Sequence, residues 1–177
     1  MMEFPIPILI FFLTVIGASF GSFLNVVIYR VPKKISIITP RSYCFNCSVP
    51  IRALNNIPIV SYFLLGGKCK NCGAEFPSRY AFVEVIAALL TIIIFIIYGL
   101  TPSFLIYLTL VYLLIAITFV DIDHFIIPNG FILTGFCILI LGIQLRWISI
   151  DWIDAASGAF VFAGFLFTIG LIGQFIL

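Results

Sequence analysis

Long runs of apolar residues alternate with short polar stretches along this chain, and one larger polar island separates the first two runs. The apolar runs cover approximately residues 4–28, 81–100, 103–120, 131–144 and 155–177. About 20 apolar residues in a helix cross a hydrocarbon core ~30 Å thick. The first run lacks the basic residues that precede the apolar part of a signal peptide. The pattern therefore predicts an all-α polytopic membrane protein with about five transmembrane helices.

Composition supports a membrane environment. Of the 177 residues, 63% are hydrophobic and only 9% are charged, whereas a soluble domain of this size needs more polar surface. The formal net charge of +2 is too small to indicate a nucleic-acid binder. We expect the lipid bilayer, and no nucleic acid, as a partner.

The polar island sets the predicted domains and their orientation. We predict a first helix over residues 1–29, a cytoplasmic domain over 30–80, and helices two to five over 81–177. Eight of the nine Lys and Arg residues lie between Arg30 and Arg79. Short loops rich in these residues stay on the cytoplasmic side. Counting crossings then places the amino terminus outside and residues 121–129 at the cytoplasmic face.

Four cysteines in the island form two C-x2-C pairs, which are Cys44 with Cys47 and Cys69 with Cys72. Two such turns facing each other complete a tetrahedral shell of four thiolates, which suits Zn2+. Two disulfides, four free thiols and a thiol-redox protein with shuttling pairs are the alternatives. A reducing cytosol disfavours disulfides, so we predict a structural zinc site in a zinc-ribbon-like domain.

Carboxylates at the end of the third apolar run form the second constellation. Asp121 and Asp123 close a membrane helix, where carboxylates that face lipid are costly. They are either interfacial residues or part of an aspartyl catalytic site, which needs two neighbouring carboxyls in different protonation states. Positions i and i+2 point to different sides of a helix. A partner carboxylate for either residue is therefore expected from elsewhere in the fold.

Other positions in the membrane runs have structural and functional interpretations. Gly17 and Gly21 form a G-x3-G pattern typical of close helix packing. Asn25 needs a hydrogen-bond partner in its apolar run and is a candidate for interhelical contact or substrate contact. Glu84 is predicted to open the second helix, where a carboxylate favours the positive end of the dipole, and the alternative is a functional role such as substrate contact. Arg30 is a candidate for contact with lipid headgroups or with substrate.

Three motifs together resemble the bacterial prepilin leader peptidase/N-methyltransferase family, in the family's order. The sequence GSFLNVVIYRVP at 21–32 resembles its first signature. PRSYC at 40–44, NIP at 56–58, GKC at 67–69 and RY at 79–80 with Glu84 are similar to its cysteine-bearing cytoplasmic domain. Asp121 followed by IPN at 127–129 resembles its first catalytic aspartate motif.

The resemblance implies a bifunctional membrane aspartic endopeptidase of type IV pilus or type II secretion systems. Such an enzyme cleaves the leader of type IV prepilins or pseudopilins before a phenylalanine, at the cytoplasmic face of the bacterial inner membrane. It then methylates the new amino terminus with S-adenosylmethionine. Asp121 is the implied catalytic aspartate and Asp123 a secondary neighbour. The chain shows no glycine-rich strand-loop-helix pattern for S-adenosylmethionine, so methylation rests on the resemblance.

The sequence departs from the family in one respect. The family's second catalytic aspartate lies in a Gly-x-Gly-Asp motif, and none of the seven acidic residues here stands in such a motif. We therefore expect a truncated copy, whose 177 residues do not hydrolyse peptides alone. A non-catalytic zinc-binding membrane module is the alternative function.

Overall fold

The computed structural model describes residues 5–176 of the chain. Its helices are α1 (Ile6–Arg30), α2 (Val60–Leu64), α3 (Arg79–Tyr98), α4 (Pro102–His124), α5 (Asn129–Gln144) and α6 (Trp152–Ile176), with a 3-10 turn at Ala53–Asn55. The described residues contain no strand beyond isolated bridges. The predicted all-α class is confirmed. The predicted ends of the first and last apolar runs, at residues 4 and 177, lie outside the described residues.

Four of these helices are long and apolar enough to cross a membrane, namely α1, α3, α4 and, over Trp152–Ile169, α6. The remaining long helix, α5, has 16 residues. At ~1.5 Å rise per residue it spans only ~24 Å, less than the hydrocarbon thickness. The chain is thus a membrane protein with four full-length apolar helices and one shorter one.

Local sequence explains where the central helix α4 begins and ends. Thr101 caps its start, because the Thr101 hydroxyl accepts a hydrogen bond from the Phe104 N–H at 3.4 Å, and Pro102 occupies the first turn, where its missing N–H costs nothing. The helix ends at Phe125, whose left-handed φ of 53° stops helical propagation. Pro128 precedes the first residue of α5. The helix therefore runs past the predicted limit at residue 120 and carries both aspartates.

The core is formed by α1, α3 and α4, and α5 packs against α4. Ile28, Val83 and Val120, one from each core helix, are completely buried. The predicted close-packing face is confirmed: a Cβ atom at Gly17 would lie 2.8 Å from Ala88 Cα, and one at Gly21 would lie 2.6 Å from Glu84 Cα. These glycines let the backbones of α1 and α3 touch.

Candidate functional site

The two cysteine pairs fold into matching turns. The Cys44 N–H donates to the Val49 carbonyl at 3.1 Å, and the Cys69 N–H donates to the Ala74 carbonyl at 2.8 Å. In each turn the residue after the second cysteine has a positive φ: 56° at Ser48 and 73° at Gly73. These equivalent bonds and angles aim the thiols of both turns toward each other.

The four sulfur atoms meet in one cluster. Cys44 Sγ lies 3.7 Å from Cys72 Sγ, Cys47 Sγ lies 4.0 Å from Cys69 Sγ, and all four lie within 4.8 Å of one another. A tetrahedral Zn2+ with Zn–S distances of ~2.3 Å requires sulfur atoms ~3.8 Å apart. The predicted ligands are therefore brought together, and they fit a tetrahedral metal ion.

An asparagine from each turn supports the opposite turn. The Asn46 amide donates to Cys72 Sγ at 3.7 Å, and the Asn71 amide donates to Cys47 Sγ at 3.6 Å. Hydrogen bonds from the backbone of Ala74 and from Asn46 lower the pKa of the Cys72 thiol to about 6. Thiolates are the form that binds metal, so these amides favour the binding-competent state.

The pKa of Cys44 moves in the opposite direction. Hydrogen bonding from the Cys47 backbone opposes the change, but burial and the hydrogen bonds with the neighbouring thiols raise the pKa. Cys44 is completely buried, whereas Cys72 is exposed. In the metal-free cluster the two thiols therefore differ in both charge and access.

The two aspartates at the end of α4 have different surroundings. Asp123 forms an ion pair with Arg79, the first residue of α3. Asp121 is exposed, and its side chain makes no ion pair or hydrogen bond within residues 5–176. Asp123 is thus paired, and Asp121 is the carboxylate without a partner among the described residues on the helix end that lies beside the start of α3.

Two buried polar side chains of α1, those of Asn25 and Arg30, bind backbone atoms where the helices meet the polar island. The Asn25 amide nitrogen donates to the Tyr80 carbonyl at 2.9 Å. The Arg30 guanidinium donates to the carbonyls of Ser36 at 2.9 Å and Pro40 at 2.8 Å. These bonds satisfy the Asn25 amide nitrogen and a guanidinium charge that would be costly to bury alone.

The predicted position of Glu84 at the opening of α3 is wrong. The helix begins at Arg79, and no acidic residue lies in its first turn. Glu84 is 8% exposed and accepts a hydrogen bond from the Ile59 N–H at 2.6 Å. Its carboxylate therefore binds a loop 25 residues earlier in the chain instead of capping its own helix.

Ile59 has an unusual backbone conformation. Its φ of 63° and ψ of −56°, with the Val60 N–H donating to the Pro58 carbonyl at 2.6 Å, define the strained form of γ-turn. A β-branched residue rarely adopts a positive φ. Such strain persists where the surroundings over-determine it, and here the Glu84 carboxylate holds the strained N–H.

A cavity of about 560 Å³ lies where the cysteine turns meet α1 and α3. Asn25, Arg30 and Glu84 line it together with Cys69. Sequence reasoning named these residues one by one but missed that they share a cavity. It also missed Tyr80 as the partner of Asn25, Ile59 as the partner of Glu84, and Arg79 as the partner of Asp123. Arg79 and Tyr80 form the RY motif, and Ile59 directly follows the NIP motif. These motifs were the sequence signal that could have indicated the partners.

Fold and site together define a class: helical membrane proteins with a four-cysteine module between their first two membrane helices. Residues 15–98 match the family model of the Bacterial Peptidase A24 N-terminal domain. The chain is 39% identical over 162 residues to a prepilin leader peptidase/N-methyltransferase of Myxococcus xanthus, covering 90% of this chain and 47% of the relative. No solved structure matches the chain.

Two relatives with the same name occur in Pseudomonas. The protein of Pseudomonas putida is 32% identical, and the match covers 84% of this chain and 59% of the relative. The protein of Pseudomonas aeruginosa is 33% identical, and the match covers 76% of this chain and 51% of the relative. The chain thus spans about half the length of the curated relatives it matches. These matches confirm the resemblance of this chain to the bacterial prepilin leader peptidase family.

Proposed function

We propose that this chain contributes the cysteine module and the first catalytic aspartate of a prepilin leader peptidase/N-methyltransferase. The proposal rests on the similarity to relatives of that name. The relative from Myxococcus xanthus, for example, is 39% identical across 90% of this chain. The relatives do not favour a redox protein or a non-catalytic module. The proposed substrates are type IV prepilins or pseudopilins, which present their leader at the cytoplasmic face of the inner membrane.

Asp121 is the proposed catalytic carboxylate. It is exposed at the end of α4, and the Asp123–Arg79 ion pair joins that end to the start of α3, beside the cysteine module. Aspartyl hydrolysis needs one ionised carboxylate to take a proton from water and one protonated carboxyl to activate the carbonyl. Asp123 is paired with Arg79, so we do not assign it as the second carboxyl.

Zn2+ is the metal proposed for the four cysteines, with a structural role. Four thiolates at tetrahedral spacing leave no open position for a reacting water. S-adenosylmethionine is the methyl donor proposed from the resemblance, and the volume of the cavity beside the cysteines lies within the ~300–1,000 Å³ usual for small-molecule sites. In the proposed orientation this module and residues 121–129 face the cytoplasm, as the concentration of basic residues between Arg30 and Arg79 favours.

The test replaces each aspartate in the complete gene product and follows removal of the prepilin leader by mass shift. Asp121→Asn keeps the size of the side chain but removes its base, so cleavage should fall at least about 100-fold. Asp151→Asn is the matched control, since Asp151 is exposed and precedes α6, and it should cleave normally.

Asp123→Asn distinguishes the two carboxylates. It removes the ion pair with Arg79 but leaves the proposed base in place, so we expect a smaller loss than with Asp121→Asn. Normal cleavage by Asp121→Asn together with loss in Asp123→Asn would refute the assignment of Asp121.

A further inference from the structure

The short helix α2 turns an apolar side away from the protein. At ~3.6 residues per turn, Val60, Phe63 and Leu64 share one side of it, and all three are exposed, Phe63 by 71% and Leu64 by 80%. The other side carries the buried Ser61, whose hydroxyl donates to the Leu54 carbonyl at 3.3 Å. Leu54 is itself 82% exposed. These four apolar residues, which we call the apolar patch, form the kind of surface that contacts a membrane or a partner.

Bonds to the membrane helices give the depth of the apolar patch. The Ile59 N–H, one residue before α2, donates to Glu84 Oε2 at 2.6 Å. A Cβ atom at Gly21 would lie 2.6 Å from the Glu84 Cα, so Glu84 is level with a residue nine positions before the end of α1 at Arg30. That distance is ~13 Å along the helix axis. The Glu84 side chain leans back toward the start of α3, but α2 still begins beside the membrane helices and not beyond their ends.

The length of α1 limits how much of it can leave the hydrocarbon on this side. Its 25 residues span ~37 Å, which exceeds a ~30 Å hydrocarbon core by ~7 Å. If the whole excess lies at the end beside the cysteine module, about five residues emerge, and the boundary falls near Asn25. Phe82, two residues before Glu84 in α3, is an exposed apolar side chain close to this level. The start of α2 therefore lies near the boundary between hydrocarbon and headgroups.

The backbone leading into α2 is hydrogen-bonded as a lipid environment requires. Irregular backbone at membrane depth must satisfy its polar groups within the protein. Every N–H over residues 55–61, where position 58 is a proline, has an acceptor in the protein. Two of these acceptors are side chains: the Ser61 hydroxyl accepts from the Ile57 N–H at 2.8 Å, and the Glu84 carboxylate accepts from the Ile59 N–H. The segment therefore needs no water to complete its N–H bonds.

The charge around the apolar patch suits an anionic lipid surface. No acidic residue occurs between positions 30 and 74. Arg52 directly precedes the turn that carries Leu54, Lys70 follows α2, and both basic residues are exposed. An apolar surface flanked by basic residues at the membrane interface binds acyl chains and anionic headgroups together. Lipid is therefore the partner that this excess of positive charge favours over another protein.

We propose that α2 and the turn at Ala53–Asn55 insert the apolar patch into the headgroup–acyl boundary of the leaflet beside the cysteine module. The patch contacts acyl chains, and Arg52 and Lys70 contact headgroups. The bilayer then holds the module in addition to its bonds to α1 and α3. This proposal concerns contact with lipid and does not depend on cleavage or methylation of prepilins.

The experiment places a fluorescent residue in the apolar patch of the complete protein, in vesicles of phosphatidylcholine and phosphatidylglycerol. Phe63→Trp is made in a background whose native tryptophans, Trp147 and Trp152 among them, are replaced by phenylalanine. Phe45→Trp is the matched control, because Phe45 lies in the first cysteine turn against Tyr29, near the end of α1. The ratio of quenching by a lipid brominated near its headgroup to quenching by aqueous acrylamide should be severalfold higher for Phe63→Trp than for Phe45→Trp.

Two other results of this measurement identify a different cover for the apolar patch. Quenching of Phe63→Trp by acrylamide alone would mean that water covers the patch, and quenching by neither reagent would mean that protein covers it. Either result would overturn the proposal.

A second measurement leaves the patch unaltered. The wild-type protein is irradiated in vesicles that contain a phospholipid with a diazirine on its acyl chain, and its tryptic peptides are analysed by mass spectrometry. Trypsin cleaves after Arg41, Arg52 and Lys68. Peptide 53–68, which contains the apolar patch, should carry lipid adducts severalfold more often than peptide 42–52, which contains the first cysteine turn. Equal labelling of the two peptides, or none of peptide 53–68, would contradict insertion of α2.

Discussion

At the scale of single residues, buried polar side chains of the membrane helices bind the backbone of the polar island. Asn25, Arg30 and Glu84 are each less than 9% exposed, and each has a main-chain partner far from its own turn of helix. Buried polar groups are retained where such partners exist. Arg30 and Glu84 therefore fix loops against α1 and α3, Asn25 joins α1 to α3, and the cavity forms between them.

The cysteine cluster allows a prediction about individual thiols. With zinc removed, Cys72 should be alkylated by iodoacetamide before Cys44 at pH 7, because its pKa is lowered to about 6 and it is exposed. Because the pKa of Cys72 is lowered to about 6, its reactive thiolate is present when the pH is above about 6 and is lost as the pH falls below that value. Peptide mass spectrometry across pH 5–8 would show the decline, and equal labelling of both residues would contradict it.

Zinc provides the control for this labelling. The metal-loaded protein should resist alkylation at all four clustered cysteines, since a metal-bound thiolate is withdrawn from reaction. Cys137, which lies in α5 and outside the cluster, should label equally with and without metal.

At the scale of elements, hydropathy alone located the long helices, because period and length are local properties. It ended α4 near residue 120, but Asp121 and Asp123 remain helical because the left-handed residue is Phe125. The helix-dipole argument placed Glu84 at the opening of the second helix, but α3 begins at Arg79. The contacts that the sequence did not predict join Ile59 to Glu84 and Asn25 to Tyr80, which are 25 and 55 residues apart. A local sequence pattern cannot predict contacts between residues so far apart in the chain. The cavity depends on these contacts, so it was not predicted.

Contact between α1 and α3 gives a prediction for an element. Gly21→Ala would place a methyl group 2.6 Å from the Glu84 Cα, so the helices must separate. Overpacking of this kind costs roughly 1–3 kcal/mol. Thermal unfolding in detergent should show a lower Tm for this variant.

Gly130→Ala is the matched control, since nothing lies within 4 Å of a Cβ atom at that position in α5. It should leave Tm unchanged or raise it slightly, because alanine favours a helix over glycine. Equal effects of the two substitutions would show that close packing at Gly21 is unimportant for stability.

At the scale of the whole molecule, the cysteine module and the membrane core are stabilised by different forces. The core of α1, α3 and α4 is apolar, whereas the module has short helices and isolated bridges around four thiols. Small domains with so little core usually depend on a metal or disulfides. Metal loss should therefore affect the module first.

Cys44→Ser should remove bound zinc and increase hydrogen exchange over residues 41–76, while the amides of α3 and α4 remain protected. Cys137→Ser changes the same atom outside the cluster and should keep one zinc per chain by elemental analysis. Zinc retention by Cys44→Ser, or equal exchange in both variants, would contradict a structural metal in the module.

The bonds from Arg30 and Glu84 also have a geometric consequence. A domain on a free tether would change its height relative to the membrane helices, but here the loops are held to α1 and α3 at Ser36, Pro40 and Ile59. These loops cannot tilt or rise independently of the two helices, so the cavity keeps a fixed height above the core of α1 and α3. A molecule held in the lipid would enter the cavity only with a group that projects by that fixed length.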